Sequence, residues 1–255
     1  MAGSRYAYVR DFELADVALP RTFLVVRIDG KGFHKFSQQH GFSKPNDANA
    51  LELMNEAARH VMREFKGHIT LAFGESDEYS FLIDPYVFGW QHYMNVPLQY
   101  PPSFDGRLVM YPTQKEVRDY FAWRQADTHI NNLYNTVFWA LVQQGGKSER
   151  EAHDILKGTV SAEKHEIMFQ QFGINYDKLP AFFRKGTTLV WSPIADPNRT
   201  KLRTELRTLH VDIIGDTFWM PHPEQPLAAA DDAAPYYEHP KRLHGDGLGS
   251  HLFSI

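Results

Sequence analysis

The chain has 255 residues, 43% of them hydrophobic and 14% aromatic, enough to bury the core of one large domain or two small ones. It contains no cysteine, which excludes disulfides, thiolate nucleophiles and thiolate metal sites and suits a reducing compartment. A formal charge of −4 argues against a surface built throughout for polyanions. The N-terminus, MAGSRYAYVRDFELAD, mixes acids with apolar residues and does not read as a secretory signal. No run approaches the ~18 uncharged apolar residues of a membrane helix, so no membrane is expected.

In chain order, FLVVRID (23–29) is a short β-branched run ending at Gly30 and reads as a buried strand feeding a tight turn. The stretch GKGFHKFSQQHGFSKPND follows and is polar. Ala48, Leu51, Met54, Ala58, Val61, Met62 and Phe65 then recur at helical spacing, predicting an amphipathic helix over about 46–66, capped by Asn46 or Asp47. Ile69–Phe73 and Tyr79–Ile83 flank GESDE and predict an antiparallel hairpin with an acidic tip. Residues 84–106 are aromatic and proline-rich without a clean period, and RLVMY (107–111) reads as a further strand. Thr113 with Glu116 opens a long helix to about Gln144, and Ser148 with Glu151 opens a second to about Lys157. A third helix is expected over 161–172, with late strands at Thr187–Trp191 and Thr208–Ile214. Residues 222–255, rich in Pro, Ala, Asp, His and Gly, read as a disordered tail.

The residues that carry chemistry begin with acidic strand ends. Asp29 closes the first strand, and Asp77 and Glu78 sit at the hairpin tip. If the strands are neighbours, the carboxylates meet at one sheet edge. Magnesium takes one or two carboxylates together with phosphates and water, and two such ions can activate a hydroxyl and neutralise a leaving pyrophosphate. Gly30 would let a backbone carbonyl approach the metal. Equally, Asp-Gly is a common turn pair and an acidic tip is common solvated surface. Lys31, Gly32, Phe33, His34 and Lys35 provide cations, a small residue and rings suited to a triphosphate and a base, without a Walker loop. In DTHINNLYNT (127–136), an asparagine-rich helical segment is either a polar network pinning the helix or a face for phosphates and base edges. Cations are unevenly spread: residues 1–46 carry 7 Lys/Arg against 4 Asp/Glu, 147–207 carry 11 against 8, 47–146 carry 7 against 12 and 208–255 carry 2 against 7. An RNA would have to meet local patches, such as the scatter of Lys164, Arg184, Lys185, Arg199, Lys201, Arg203 and Arg207, or a groove made by several subunits.

Seven dispersed segments carry a resemblance: RIDGKGFHKF (27–36), KPNDANALELM (44–54), GESDEYSF (74–81), YPPSFDGR (100–107), WRQADTHINNLYNTVFWAL (123–141), FFRKGT (182–187) and HVDIIGDTFW (210–219). With them, residues 1–222 resemble the eukaryotic tRNA-histidine guanylyltransferases. The resemblance implies an α+β fold: a polymerase-palm-like antiparallel sheet with flanking helices and a helical C-terminal half. The division that follows is a catalytic domain over 1–140, a C-terminal region over 141–221 packed on it, and the tail. It implies addition of guanosine to the 5′ end of histidine tRNA. ATP adenylates the 5′-phosphate, the 3′-hydroxyl of GTP displaces AMP, and pyrophosphate is then removed. Carried over by position, Asp29, the Gly30 carbonyl and Asp77 hold two magnesium ions, with Glu78 in support. Asp29, Gly30, Lys31, Gly32, Phe33, His34, Ser76 and Asp77 contact the nucleotide. His129, Asn131, Asn132, Lys164 and Lys185 form a surface for tRNA or triphosphate.

A homotetramer is implied, and the expected location is the cytoplasm or nucleus, with the mitochondrion left open. Two other readings stay open: a cyclase-type palm enzyme that needs no RNA, and a non-catalytic RNA-binding relative. One departure from the family pattern is the interval Asp84–Gln99, shorter than in the family and lacking its basic helix, which implies a weaker hold on the triphosphate.

Overall fold

The structure, a computed structural model, describes residues 23–82, 103–194 and 203–219 together with Leu248, Gly249 and Leu252. The interval Asp84–Gln99 lies outside the described residues. Six strands form one antiparallel sheet in the order β4-β1-β3-β2-β5-β6. They are β1 (Phe23–Lys31), β2 (Leu71–Glu75), β3 (Glu78–Leu82), β4 (Ser103–Tyr111), β5 (Thr187–Ile194) and β6 (Arg203–Leu209). The helices are α1 (Phe33–Gln39), α2 (Ala48–Glu64), α3 (Gln114–Gln143), α4 (Glu149–Leu156), α5 (Ser161–Phe172) and α6 (Ala181–Lys185). This is the α+β sheet with flanking helices that the sequence predicts.

Alternation along the strands divides the core into two layers. Leu71 and Phe73 point to one face, where they pack with Val117 and Phe121 of α3. Ala72 points to the other and packs with Met54, Ala58 and Met62 of α2. A third cluster joins Leu133, Val137 and Leu141 at the C-terminal half of α3 to α4 and α5. The helix starts are set by their caps. Asp47 accepts from Asn49 N and Ala50 N at 2.9 and 3.0 Å, and Ser148 and Glu151 close a reciprocal capping box. The boundary expected at 140/141 falls inside α3, and β5 and β6 complete the same sheet through the β2–β5 pairing.

Three local expectations change. The polar stretch after Gly30 contains α1, a short helix that buries only Phe36 and so shows little apolar period. The last strand is Arg203–Leu209, not Thr208–Ile214. Beyond it the apolar segment Val211–Ile213 is tied to α3 by one buried side chain: Gln125 donates to Val211 O at 2.8 Å and to Lys185 O at 2.9 Å, and accepts from Ile213 N at 2.7 Å. A side-chain amide thus replaces a strand partner. Within the expected disordered tail, Leu248 is buried in the core and Gly249 N donates to Phe218 O at 2.8 Å, so the chain returns to the core there. Among the described residues no helix is long and apolar enough to cross a membrane.

The Gln125 clasp has a measurable worth. Gln125→Ala leaves three backbone groups without a buried partner, which costs about 2–4 kcal/mol. The expected outcome is a melting temperature about 5–10 °C lower by calorimetry; an unchanged value would show that the 211–213 segment is held otherwise.

Candidate active site

The β1–β3 register brings Asp29 opposite Glu78, and the β1–β4 register brings Asp29 opposite Asp105. Ser76 and Asp77 make the turn between β2 and β3, and Ser76 takes a left-handed φ of 52°. Gly30 N donates to Asp77 O at 3.0 Å, which fastens the hairpin tip to the end of β1. The approach is close enough that a Cβ at Gly30 would collide with Asp77 Oδ2 and the Phe33 ring. Burial pushes the Asp77 carboxyl above the usual aspartate value, Asp29 adds to the rise, and Ser76 and His34 oppose it. A mostly buried carboxylate near a second one is a site that lacks positive charge.

Two arginines brace the neighbouring acids. Arg27, two residues before Asp29 on the same strand face, bonds to Asp29 at 2.9 Å and also to Glu78. Arg124 of α3 reaches Glu78 at 2.8 and 3.1 Å and stacks 3.5 Å from the Trp123 ring centroid. Burial alone would push the Glu78 carboxyl up, but the bonds from Arg27 and Arg124 hold it below the ordinary glutamate value. Both Glu78 oxygens are therefore engaged by guanidinium groups.

Beside the tip opens a cleft of about 260 Å³. Its lining includes His34, Ser76 and Asp77, the loop Lys44–Asp47, residues of α2, and the rings of Phe33, Trp139 and Phe182. Lys44 Nζ lies 4.4 Å over the Trp139 ring. Polar and charged groups together with aromatic rings in one cleft suit a ligand with an anionic tail and a flat ring.

The family profile described as "tRNAHis guanylyltransferase" matches residues 6–86, and the one described as "Thg1 C terminal domain" matches residues 115–210. The chain is 47% identical to the probable tRNA(His) guanylyltransferase of Drosophila melanogaster, over 88% of this chain and 85% of that one. The chain belongs to the tRNA(His) guanylyltransferase family. Among solved structures, tRNA(His) guanylyltransferase from Saccharomyces cerevisiae is similar with a TM-score of 0.64 and 41% identity, over 73% of this chain and 93% of that one. A bacterial tRNA(His) guanylyltransferase-like protein in complex with GTP is similar with a TM-score of 0.50 and 25% identity, over 78% and 87%. The chain is accordingly a nucleotidyltransferase acting in tRNA processing.

Within this guanylyltransferase the sequence-predicted residues separate into groups. Asp29, Gly30, Phe33, His34, Ser76, Asp77 and Glu78 converge at the hairpin tip. Phe33 packs on Phe36 and Phe104 at 5.1 and 5.4 Å between ring centroids, which leaves His34 as the exposed ring of the loop. Lys31 and Gly32 are exposed, and Gly32 holds the left-handed φ of 74° that starts α1. Asn132 lines the cleft as a buried pin: it accepts from Asn46 Nδ2 at 2.8 Å and donates to the Tyr176 hydroxyl at 3.1 Å. His129 lies beyond it, and burial together with His165, Arg184 and Lys185 holds its pKa below the usual histidine value, against a smaller pull from Asp177. Lys185 also pairs with Asp212 at 3.5 Å. Asn131 is exposed, and Lys164 is tied to Thr159 O at 2.6 Å.

Sequence reasoning missed Arg27, Arg124 and Glu75. Strand alternation puts Arg27 on the Asp29 face and could have found it. Nothing local connects Arg124 to Glu78.

Glu75 ends β2, lines the cleft and is pushed by burial up to about 7; Asp127 and Glu78 add to the rise, while Thr128 and Arg124 oppose it. Its folded pKa lies above the unfolded value, so its stability contribution is full below about 4.5 and is lost as pH rises through about 7. In metal-free buffer, the unfolding free energy of the parent should fall relative to Glu75→Gln between pH 5 and pH 8, by on the order of 2–3 kcal/mol. Parallel pH profiles from chemical denaturation would contradict this burial.

Proposed function

We propose that the chain adds a guanosine nucleotide to histidine tRNA through an adenylated 5′ end. The observation that carries this reading is the Asp29–Asp77 pair, closed by Gly30, beside a cleft lined by polar groups and aromatic rings. Two carboxylates with few cationic partners of their own match a magnesium site whose remaining ligands are phosphates and water. Asp29, the Gly30 carbonyl and Asp77 are the groups that would hold two ions, with Glu78 in support. Bound there, magnesium supplies charge neutralisation for the triphosphate and for the pyrophosphate that leaves.

The remaining roles belong to side chains. Arg27 and Arg124 hold Glu78 ionised and keep Asp29 directed along the sheet edge. His34, Ser76, Lys31 and Gly32 bind the triphosphate, and the aromatic rings of the cleft take the base of GTP or ATP. The GTP-bound bacterial relative supports this use of the cleft. A 5′-phosphate oxygen of the tRNA attacks the α-phosphorus of ATP and pyrophosphate leaves. The 3′-hydroxyl oxygen of GTP then attacks the 5′-phosphorus of the tRNA and AMP leaves. Removal of pyrophosphate from the added nucleotide leaves the guanosine monophosphate end. His129 and Lys185 form the RNA-facing patch, with Asn131 and Lys164 at its margins and Asn132 holding it to the cleft. A cytoplasmic or nuclear site of action accords with this substrate.

The decisive assay uses magnesium, GTP, ATP and 5′-phosphorylated histidine tRNA. Asp29→Ala and Asp77→Ala should each lower transfer by at least about a thousandfold, the loss expected when several kcal/mol of charge stabilisation disappear, while circular dichroism stays unchanged. A tRNA that already bears a 5′-triphosphate should accept GTP without ATP, since it carries its own leaving group. Near-normal turnover in either variant, or an equal ATP requirement for both RNAs, would refute the reading.

Assembly as a homotetramer is part of the same proposal. Leu108 on β4, an outer strand among the described residues, is 58% exposed, which suits a face covered by another subunit. Sedimentation at micromolar concentration should read a tetramer; a monomer would remove this element of the proposal.

A further inference from the structure

Tyr176, in the turn between α5 and α6, is 1% exposed and carries no role in the scheme above. Its ring lies edge-on to two imidazoles, His129 with centroids 5.4 Å apart and His165 at 5.3 Å. The cations Arg184 and Lys185 also lie near His129. Its hydroxyl ends a chain of polar groups that starts in the cleft: Asn46 Nδ2 donates to Asn132 Oδ1, and Asn132 Nδ2 donates to the Tyr176 oxygen.

The direction of that chain leaves the phenol hydrogen free to point onward. With its oxygen already accepting from Asn132, the hydroxyl has its own proton to place. Two acceptors lie within reach, the His129 carbonyl at 3.4 Å and His129 Nδ1 at 3.5 Å. Mid-helix carbonyls keep a second lone pair, which Arg124 O and Asn132 O of α3 use for the Thr128 and Thr136 hydroxyls. Both His129 atoms can therefore take the hydrogen, and the ring nitrogen takes it when His129 carries its own hydrogen on Nε2. An imidazole that accepts at Nδ1 and stays neutral carries its hydrogen on Nε2.

We propose that Tyr176 is a positioning residue for the RNA-facing patch: it fixes His129 as the Nε2–H tautomer, a directed donor to an RNA phosphate oxygen, and holds His165 beside it. The inference rests on the reading of His129 as part of that patch. The repulsion of neighbouring cations makes a neutral donor the useful form, because a neutral imidazole can sit among Arg184, Lys185 and His165 without adding charge. The same chain ties the cleft loop at Asn46 to the patch, so that the nucleotide and the RNA end are held by one connected set of groups.

The test is a cycle in the full-length chain: Tyr176→Phe, His129→Ala and the double variant, each assayed with 5′-monophosphorylated histidine tRNA, GTP, ATP and magnesium. Tyr176→Phe keeps the ring and deletes the proton. It should raise KM for the tRNA about tenfold, the scale of one phosphate hydrogen bond, with a smaller rise in KM for GTP because Asn132 loses the same hydroxyl. In the His129→Ala background it should add nothing, which a general loss of packing would not reproduce. In spectra of the 15N-histidine-labelled chain, the His129 signals, identified by their loss in His129→Ala, should report the Nε2–H tautomer in the parent and a mixture in Tyr176→Phe. A multiplicative double variant, or an impaired His129→Ala beside a normal Tyr176→Phe, overturns the positioning role alone. A normal tRNA KM in His129→Ala overturns the RNA reading of the patch beneath it.

Discussion

Two like charges meet where β1 and the β2–β3 tip converge, and the surrounding structure is arranged so that they can stay there. Gly30 has no side chain because Asp77 occupies that space. The backbone bond from Gly30 to Asp77 fixes the separation of the two strand ends. Asp29 has Arg27 beside it, yet Arg27 is shared with Glu78 and Glu78 is shared with Arg124. The acids therefore form a graded series. Glu78 is fully compensated, Asp29 is compensated in part, and Asp77 has burial and repulsion with little relief. Asp77, at the end of that series, lines the cleft, which is why the proposed metal is placed there.

The second constraint is that the cleft and the cationic patch share a single helix. Asn132 and His129 are one turn apart on α3. Asn132 holds the loop at Asn46, which walls the cleft, and His129 lies against Tyr176. A buried asparagine with both ends of its amide engaged is more rigid than a packed leucine would be, since any rotation breaks two directed bonds. The expensive asparagines of this helix thus contribute geometry: they set the cleft wall and the patch in one register.

The sheet, the long helix and the acidic tip were legible because each has a local signal. FLVVRID is an apolar β-branched run, Asp47 caps α2, and the Ser148–Glu151 box starts α4 where the pattern places it. The missed elements had no local signal. α1 buries one residue, and Val211–Ile213 reads as a strand because its partner is the distant side chain of Gln125 rather than another strand. The site divides in the same way. Asp29 and Asp77 follow from strand ends and a glycine, but the Arg124–Glu78 bond spans 46 residues and is invisible to any window. Of the two readings of the HINN segment, the pinning network is the one Asn132 forms, and the face for phosphates belongs to the proposal, with His129 placed near Arg184 and Lys185.

The net charge of −4 argues against a surface built throughout for polyanions, and the described structure shows how unevenly the charges are placed. Several acids are matched inside the molecule and present no field to a ligand: Glu78 to Arg27 and Arg124, Glu52 and Glu56 to Arg59, and Glu56 also to Arg63. Asp29 and Asp77 are acids that a metal would neutralise. Those ion pairs withdraw four arginines along with three acids and so leave the formal sum no less negative; what a polyanion meets depends on where the charges lie rather than on their total. What remains near the α3–α6 junction is His129, His165, Arg184 and Lys185 grouped around one tyrosine. Screening confines the influence of exposed charges to about 10 Å at moderate salt. A phosphate arriving there responds to that local group, and the acids of distant strands are too far away to repel it.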